Sequence, residues 1–173
     1  IDLINVTKRY GKVVANKDIH LMVQPGEISI LAGPNGAGKS TLIKCIAGLL
    51  RFKGKILIEG YNNKSLEAKS KLGYIPEVPV LYDMLTAWEH MEFIGRAYKL
   101  ENWKKRAEEL FVRFELDDKK NKLGSELSKG MQQKVSICCG LLIEPKVVLF
   151  DEPFVGLDPH AIKELKKIMF ELK

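Results

Sequence analysis

The sequence predicts an α/β protein: a mostly parallel sheet flanked by helices, with an N-terminal antiparallel β subdomain and an inserted α-helical subdomain. Three observations lead to this prediction. β-rich runs occupy most of residues 1–60, interrupted by one helical stretch. Helix signals dominate from Thr86 onward, and a buried-type strand followed by a helix returns after Pro145. Strands and helices alternating at both ends, with helices between, are typical of an α/β sheet with a helical insert.

The N-terminal elements are predicted from apolar runs and alternation. Ile19, Leu21 and Val23 alternate with polar or neutral neighbours, as in a half-buried strand. Pro25 and Gly26 then turn the chain into a β-rich run that leads to a glycine-dense loop. The predicted strands are residues 3–6, 19–23, 27–32 and 55–58, and the predicted helix is residues 41–50.

Capping residues and apolar stripes predict the later helices. Thr86 and Glu89 form a T-x-x-E capping box at the start of the first. Ser128 is the predicted N-cap of the third, and Asp158, followed by Pro159, caps the last helix after a strand at residues 147–150. The predicted buried stripes of the second, third and last helices are Trp103, Ala107, Leu110, Phe111 and Phe114; Met131, Val135, Cys138 and Leu142; and Ile162, Leu165, Met169 and Leu172.

Length and composition fit one domain. At 173 residues, with 46% hydrophobic and 29% charged residues, the chain is neither disordered nor fibrous. We expect residues 1–78 and 144–173 to form the core with its β subdomain, and residues 79–143 to form the helical subdomain. The longest uncharged run, residues 28–38, is too short to span a bilayer, and we expect no signal peptide.

Charge and cysteine content narrow the partners and the compartment. The net charge of +6 is a mild excess, and the basic residues near position 120 have no aromatic interleaving, so we expect no nucleic-acid partner. Three cysteines, two of them adjacent, fit neither a disulfide framework nor a zinc site, which favours a reducing cytoplasm.

Residues 33–40 match the pattern G-x-x-x-x-G-K-[ST], between a predicted strand and a predicted helix. Glycines let backbone N–H groups converge on phosphate oxygens, and a helix N-terminus favours the anion. Lys39 is expected at the β- and γ-phosphates, Ser40 on Mg²⁺ and Thr41 at the α-phosphate. The pattern predicts a P-loop NTPase core that binds ATP and Mg²⁺. The predicted nucleotide contacts are Gly33, Pro34, Asn35, Gly36, Ala37, Gly38, Lys39, Ser40 and Thr41.

Two carboxylates follow the predicted strand at residues 147–150. Asp151 ends four apolar residues typical of a buried parallel strand, where ligands of open α/β sheets bind, so we expect it to hold Mg²⁺ directly or through water. Glu152 points elsewhere and is the expected general base for an attacking water. An acidic pair at the surface is the alternative reading.

Further segments resemble the ATP-binding cassette (ABC) family. The run L-S-K-G-M-Q-Q from Leu127 resembles the L-S-G-G-Q signature, and F-V-G-L-D-P from Phe154 looks like the D-loop. Tyr10 lies where the family has the aromatic residue that stacks on adenine, and G-Y-I-P-E from Gly73 resembles the segment before the Q-loop. The resemblance covers the chain from end to end, in the family's order.

This resemblance implies an ATPase that powers transport through separate membrane permease subunits, bound peripherally at the cytoplasmic face of the membrane. Two cassettes, identical or different, would sandwich two ATP molecules, with Ser128 and Gly130 contacting the partner's nucleotide. Glu77, where the family more often has Gln, would ligate Mg²⁺ or water and join Glu152 and Lys39 as a catalytic residue. Glu77 and the altered signature favour exporters.

Other readings stay open at this point. A soluble cassette ATPase acting on ribosomes or DNA is one alternative, and a binding module without catalysis is another, although Lys39, Asp151 and Glu152 argue against the second. The signature departs from the pattern at positions 129 and 131. The family's switch histidine is expected beyond the last residue; His160 lies too early, and His20 and His90 are expected to be ordinary strand and helix residues.

Overall fold

The computed structural model describes all 173 residues. In chain order the strands are β1 (Asp2–Tyr10), β2 (Val13–Met22), β3 (Lys53–Ile58), β4 (Tyr61–Asn62), β5 (Leu72–Ile75) and β6 (Val147–Phe150). The helices are α1 (Lys39–Ile46), α2 (Leu66–Ser70), α3 (Ala87–Ala97), α4 (Trp103–Arg113), α5 (Lys129–Leu142) and α6 (Pro159–Glu171). Short 3₁₀ turns cover Asp117–Lys119 and Gly124–Glu126. The α/β class predicted from the sequence is confirmed.

The chain divides into two compact units, one of Ile1–Leu72 with Leu172–Lys173 and one of Gly73–Glu171. This division falls at different residues from the predicted one, which put residues 1–78 and 144–173 together and residues 79–143 apart. The predicted boundaries therefore stay a prediction.

The first unit is built on an antiparallel sheet in the order β2-β1-β3-β4. β1 is its central element, because it pairs with β2 on one side and β3 on the other. The hairpin between β1 and β2 turns at Gly11, whose φ of 56° is in the left-handed region that favours glycine. Leu3 and Val6 of β1 are buried, as are Ile56 and Ile58 of β3. The side chains of β1 and β3 thus supply the buried part of this sheet.

The second unit packs α3, α4 and α5 around one hydrophobic core. All five residues of the stripe predicted for α4 are buried. The centroid of the Trp88 ring lies 5.5 Å from that of Trp103 and 5.7 Å from that of Phe111. Gly95 makes room for this cluster, since a Cβ there would lie 2.5 Å from the Trp103 ring. The unit also holds the two-stranded parallel sheet of β5 and β6.

The predicted cap residues occupy their positions. The Thr86 hydroxyl accepts from the Glu89 N–H, and the Glu89 carboxylate accepts from the Thr86 N–H, which completes the capping box. The Ser128 hydroxyl accepts from the Met131 N–H, and Asp158 accepts from the Ala161 N–H. These local predictions are confirmed.

Three local predictions are wrong. Residues 27–32 form no strand, because no other segment pairs with them, and Ile30 is 86% exposed. α1 ends at Ile46 rather than at position 50, since Gly48 takes a left-handed φ of 75°. The buried stripe of α6 is Ala161, Leu165 and Ile168, because the helix is turned by about one residue from the predicted face.

All three cysteines are free, as predicted. Burial raises the pKa of each thiol, that of Cys139 to about 12, so none is a reactive thiolate near neutral pH. No helix combines the length and the apolar character needed to cross a membrane.

Candidate functional site

The predicted phosphate-binding loop leads directly into a helix in the first unit. Gly38 is the N-cap of α1, with a φ of 87°, and no side chain caps the helix. Gly36 also has a left-handed φ, of 79°. α1 therefore begins directly at the loop, with the positive end of its helix dipole at that N-terminus. This is the geometry in which proteins bind phosphate.

The loop packs against β2. A Cβ on Gly38 would lie 2.4 Å from the carbonyl oxygen of Ala15 and 2.8 Å from Asn16 Nδ2, so only glycine fits. Asn16 Nδ2 donates to the Gly38 carbonyl at 3.2 Å, and Asn16 is buried. Asn16 was not predicted from the sequence, where its only signal is an amide side chain inside a strand.

Lys39 lies at the rim of the loop. Its ammonium group donates to the carbonyls of Gly33, at 2.8 Å, and Pro34, at 3.0 Å. Ser40 and Thr41 follow in the first turn of α1, and both are partly buried. The contiguous run predicted from the motif therefore forms one loop and one helix start.

Tyr10 ends β1, at the tip of the hairpin. It pairs with Val13, which precedes Ala15 by two residues, and Ala15 is the residue that Gly38 packs against. At a strand rise of about 3.3 Å per residue, Val13 and Ala15 are ~7 Å apart. The Tyr10 side chain, 50% exposed, is thus offset from the phosphate loop along one strand.

The second unit carries the predicted carboxylates. Asp151 directly follows β6, and its N–H donates to the Ile75 carbonyl at 3.0 Å. Ile75 ends β5, and Glu77 follows two residues later. Since β5 and β6 are parallel neighbours, Asp151 and Glu77 follow the same edge of this sheet. Asp151 is buried, whereas Glu77 is exposed.

Tyr74 of β5 lies beside these carboxylates. Burial, with smaller contributions from the negative charges of Asp151 and Glu77, raises the pKa of its phenol to about 12. The phenol is therefore protonated at neutral pH and acts only as a hydrogen-bond donor or a neutral acceptor. Tyr74 belongs to the G-Y-I-P-E segment noted in the sequence, but nothing in that pattern predicted a role for the tyrosine itself.

Glu152 has a left-handed backbone, with a φ of 48°. Seven non-glycine residues of the chain have a left-handed φ, and at Glu152 this conformation turns the chain directly after β6. The turn continues with a hydrogen bond from the Val155 N–H to the Glu152 carbonyl. Buried Asp151 and exposed Glu152 therefore occupy different environments although they are adjacent in the chain.

The signature-like helix α5 contacts two other segments of its unit. Gln133 is buried, and its Nε2 donates to the Pro76 carbonyl, just before Glu77, at 3.1 Å. At the start of α5, a Cβ on Gly130 would lie 2.6 Å from the Gly156 carbonyl oxygen. The D-loop-like turn thus packs directly on the helix that Ser128 caps.

An ion pair also joins α5 to this turn. Lys134 Nζ lies 2.7 Å from Asp158 Oδ2, and the Lys134 side chain is only 8% exposed. The hydrogen bond from Lys134, followed by the Ala161 N–H, lowers the pKa of the Asp158 carboxyl from its ordinary 3.8. Asp158 was predicted as a cap from the sequence, but Lys134 was not predicted as its partner.

We expect this ion pair to give the protein an acid-sensitive part of its stability. A lowered pKa means that the stabilisation is present above about pH 4 and is lost as pH falls through the folded-state pKa. In Asp158→Asn the free energy of unfolding should fall by about 1 kcal/mol at pH 7, since a partly exposed charge-assisted bond is removed. In thermal melts, the gap to the unsubstituted protein should close below pH 4. Asp83→Asn, at an exposed position of the same unit, should show no gap at either pH.

The histidines have ordinary environments. His90 is buried; its Nδ1 donates to the Thr86 carbonyl at 2.7 Å and its Nε2 accepts from the Tyr82 N–H at 2.9 Å. His20 and His160 are exposed, beside Asp18 and Glu115 respectively. No group of three His, Cys, Asp or Glu side chains converges on a point.

The candidate residues therefore form two groups, one in each unit. Tyr10 and residues 33–41 belong to the first, and Glu77, Ser128, Gly130, Asp151 and Glu152 belong to the second.

Comparison with known proteins gives consistent matches. The family model described as ABC transporter matches residues 16–155. The chain is 40% identical over 174 residues to the ABC-type transporter ATP-binding protein EcsA of Bacillus subtilis, covering 98% of this chain and 70% of EcsA. It is 38% identical to the SkfA peptide export ATP-binding protein SkfE of the same organism, covering 89% of this chain and 66% of SkfE.

Solved structures share the fold. The structure of an ATP-binding subunit of an ABC transporter superposes with a TM-score of 0.92 at 39% identity, over 99% of this chain and 73% of that one. An ATP-binding cassette solved as a dimer in a post-hydrolysis state, bound to ADP and Pi, has a TM-score of 0.84 at 30% identity, over 98% of this chain and 83% of that one. With the family model extending over most of the residues and relatives at this level of identity, the chain belongs to the ABC transporter family, as its nucleotide-binding ATPase cassette domain.

Proposed function

We propose that this cassette hydrolyses ATP to drive transport through separate membrane subunits, at the cytoplasmic face of the membrane. The observation that carries the proposal is the phosphate loop, with its left-handed glycines, its packing on β2 and Lys39 at its rim. A loop that packs this closely against a strand, with a helix N-terminus and one ammonium group, can bind the phosphates of a nucleoside triphosphate.

The candidate residues have the donor chemistry for MgATP. The hydroxyl of Ser40 and the carboxylates of Asp151 and Glu77 are all oxygen ligands, which Mg²⁺ prefers. When bound, Mg²⁺ neutralises charge on the phosphates. Lys39 and the loop N–H groups hold the phosphate oxygens, and Tyr10 stacks on the base. Glu152 accepts the proton of the attacking water, for which its exposed carboxylate is suited.

The signature-like segment is proposed to contact the ATP of a second cassette. The Ser128 hydroxyl accepts from the Met131 N–H through a lone pair, so its own hydrogen stays available for a phosphate oxygen. Ser128 is exposed at the N-terminus of α5, where the helix dipole also favours an anion. The dimeric relative bound to ADP and Pi supports this pairing. Gly130 follows in the same first turn and presents its backbone to the same phosphate.

Ser128→Arg tests both the dimer and the activity. A bulky cation should block the approach of a second cassette, so the full-length protein should remain monomeric with MgATP in size-exclusion chromatography. Phosphate release should then fall at least ~10-fold, because one composite contact is lost at each site. Ser70→Arg, which adds the same charge on α2, is the matched control and should leave both unchanged. Unaltered ATP-dependent dimerisation in Ser128→Arg would contradict the proposal.

The membrane partner is proposed from an exposed apolar segment that follows Glu77. Val80 is 85% exposed, and Tyr82 packs its ring edge against Phe93, at a 5.7 Å centroid distance. Contiguous exposed apolar side chains mark protein interaction sites. The exposed apolar residues here are Val78, Val80, Tyr82, Met84 and Phe93. We propose export as the direction, since SkfE and the lipopolysaccharide export protein LptB of Haemophilus influenzae are among the relatives.

A further inference from the structure

The ammonium group of Lys8 lies over the ring of Tyr10, 4.6 Å from the ring centroid. The same group donates to the Arg51 carbonyl at 2.9 Å. Arg51 belongs to the connection between α1 and β3, so Lys8 links the ring to the chain that leaves the phosphate-loop helix. Lys8 is partly buried, and it is therefore held in place by two contacts rather than being a mobile surface lysine.

We propose that Lys8 is a specificity-determining residue of the nucleotide site, which fixes and polarises the Tyr10 ring so that its opposite face stacks on a purine base. This inference rests on the proposed role of Tyr10 as the base platform. It assigns to Lys8 a function that neither the phosphate loop nor the carboxylates supply.

The Lys8 cation changes the charge distribution of the Tyr10 ring. A cation within about 6 Å of a ring centroid is attracted to the π-electron cloud. Its field draws electron density toward the occupied face and leaves the opposite face less negative. A purine is electron-rich, so it stacks with less repulsion on a ring polarised in this way.

The contact with Lys8 also orders the Tyr10 ring before a base binds. Tyr10 is the last residue of β1, beside Gly11, and half of its side chain is exposed. An aromatic ring at a hairpin tip would otherwise sample several rotamers, and fixing it on binding would cost entropy. The contact with Lys8 restricts the ring beforehand and determines which face is open.

Tyr10 also pairs with the strand that packs against the phosphate loop. Val13, the strand partner of Tyr10, is two residues from Ala15, against which Gly38 of the phosphate loop packs. The platform and the phosphate loop are therefore connected through one strand of the same unit.

Calorimetric titration of the full-length protein tests the role of Lys8. Lys8→Met should weaken ATP binding ~2–5-fold, the range that an exposed cation–π contact corresponds to. Binding of inorganic tripolyphosphate, which has no base, should not change. The preference for ATP over CTP should fall, because a one-ring base gains less from the platform. Lys8→Gln should behave like Lys8→Met, whereas Lys8→Arg should retain ATP affinity.

Two controls separate this role from general charge and from the platform itself. Lys12→Met removes an equal charge from the same hairpin, and it should leave the ratio of ATP to tripolyphosphate affinity unchanged. In a Tyr10→Leu background, Lys8→Met should have no additional effect, since the two residues act as one unit.

The outcomes are distinguishable. Full ATP affinity in Tyr10→Leu would overturn the platform role and with it the inference. Weakened binding in Tyr10→Leu together with normal binding in Lys8→Met and Lys8→Gln would overturn the role of Lys8 alone. Equal losses for ATP and tripolyphosphate, or an equal loss in Lys12→Met, would reduce Lys8 to a general electrostatic contribution and also overturn it.

Discussion

Glu152→Gln should lower the rate of ATP hydrolysis by the full-length protein ~10²–10⁴-fold, because the amide keeps the shape of the side chain but cannot accept a proton. ATP binding should persist, since the phosphate loop is untouched. If hydrolysis normally separates two cassettes, the ATP-bound dimer should accumulate in size-exclusion chromatography. Phosphate release and the dimer fraction are the two measurements.

Glu144→Gln is a well-matched control for this experiment. Glu144 is exposed and has the same left-handed φ of 48°. It precedes β6 in the chain, whereas Glu152 follows it. It should retain full activity. Less than a tenfold loss in Glu152→Gln would show that another group accepts the proton.

Lys39→Ala should abolish measurable hydrolysis and weaken ATP binding at least tenfold. The ammonium group, held by the carbonyls of Gly33 and Pro34, is the one side-chain cation of the loop. A charge-assisted hydrogen bond from this ammonium group to a phosphate oxygen contributes about 1.5–3 kcal/mol, which corresponds to a factor of ~10–150 in affinity. Calorimetry with ATP and a phosphate-release assay measure the two effects.

The control for Lys39→Ala is Lys44→Ala, which removes an exposed lysine from the last turn of the same helix. Its ATP affinity should match that of the unsubstituted protein. Unchanged affinity in Lys39→Ala would instead remove the phosphate loop from the proposed site.

Short-range signals predicted much of the fold. The capping box at Thr86, the N-cap at Ser128 and the stripe of α4 depend on residues within one or two helical turns, so the local sequence carries the necessary information. The loop and helix start at residues 33–41 depend on a contiguous motif for the same reason. The left-handed positions of this loop, Gly36 and Gly38, are marked by glycine itself.

Predictions that depend on distant partners were less successful. Residues 27–32 have strand propensity, but a strand requires a neighbour to pair with, which composition does not reveal. In α6, apolar residues at adjacent positions allow two stripes, and the packing selects the one through Leu165. Asn16 and Lys134 were missed because their partners, Gly38 and Asp158, lie 22 and 24 positions away.

The contact between Gly130 and the Gly156 carbonyl has a consequence for how the signature-like segment can vary. Any side chain at position 130 would collide with the backbone of the turn, so the restriction there is steric and is imposed by the chain itself. Lys129 is exposed, so a side chain at that position meets no such obstacle. The mutational tolerance of the segment is therefore uneven. Substitutions at position 129 remain open to selection by a partner, whereas position 130 is closed before any partner or nucleotide binds.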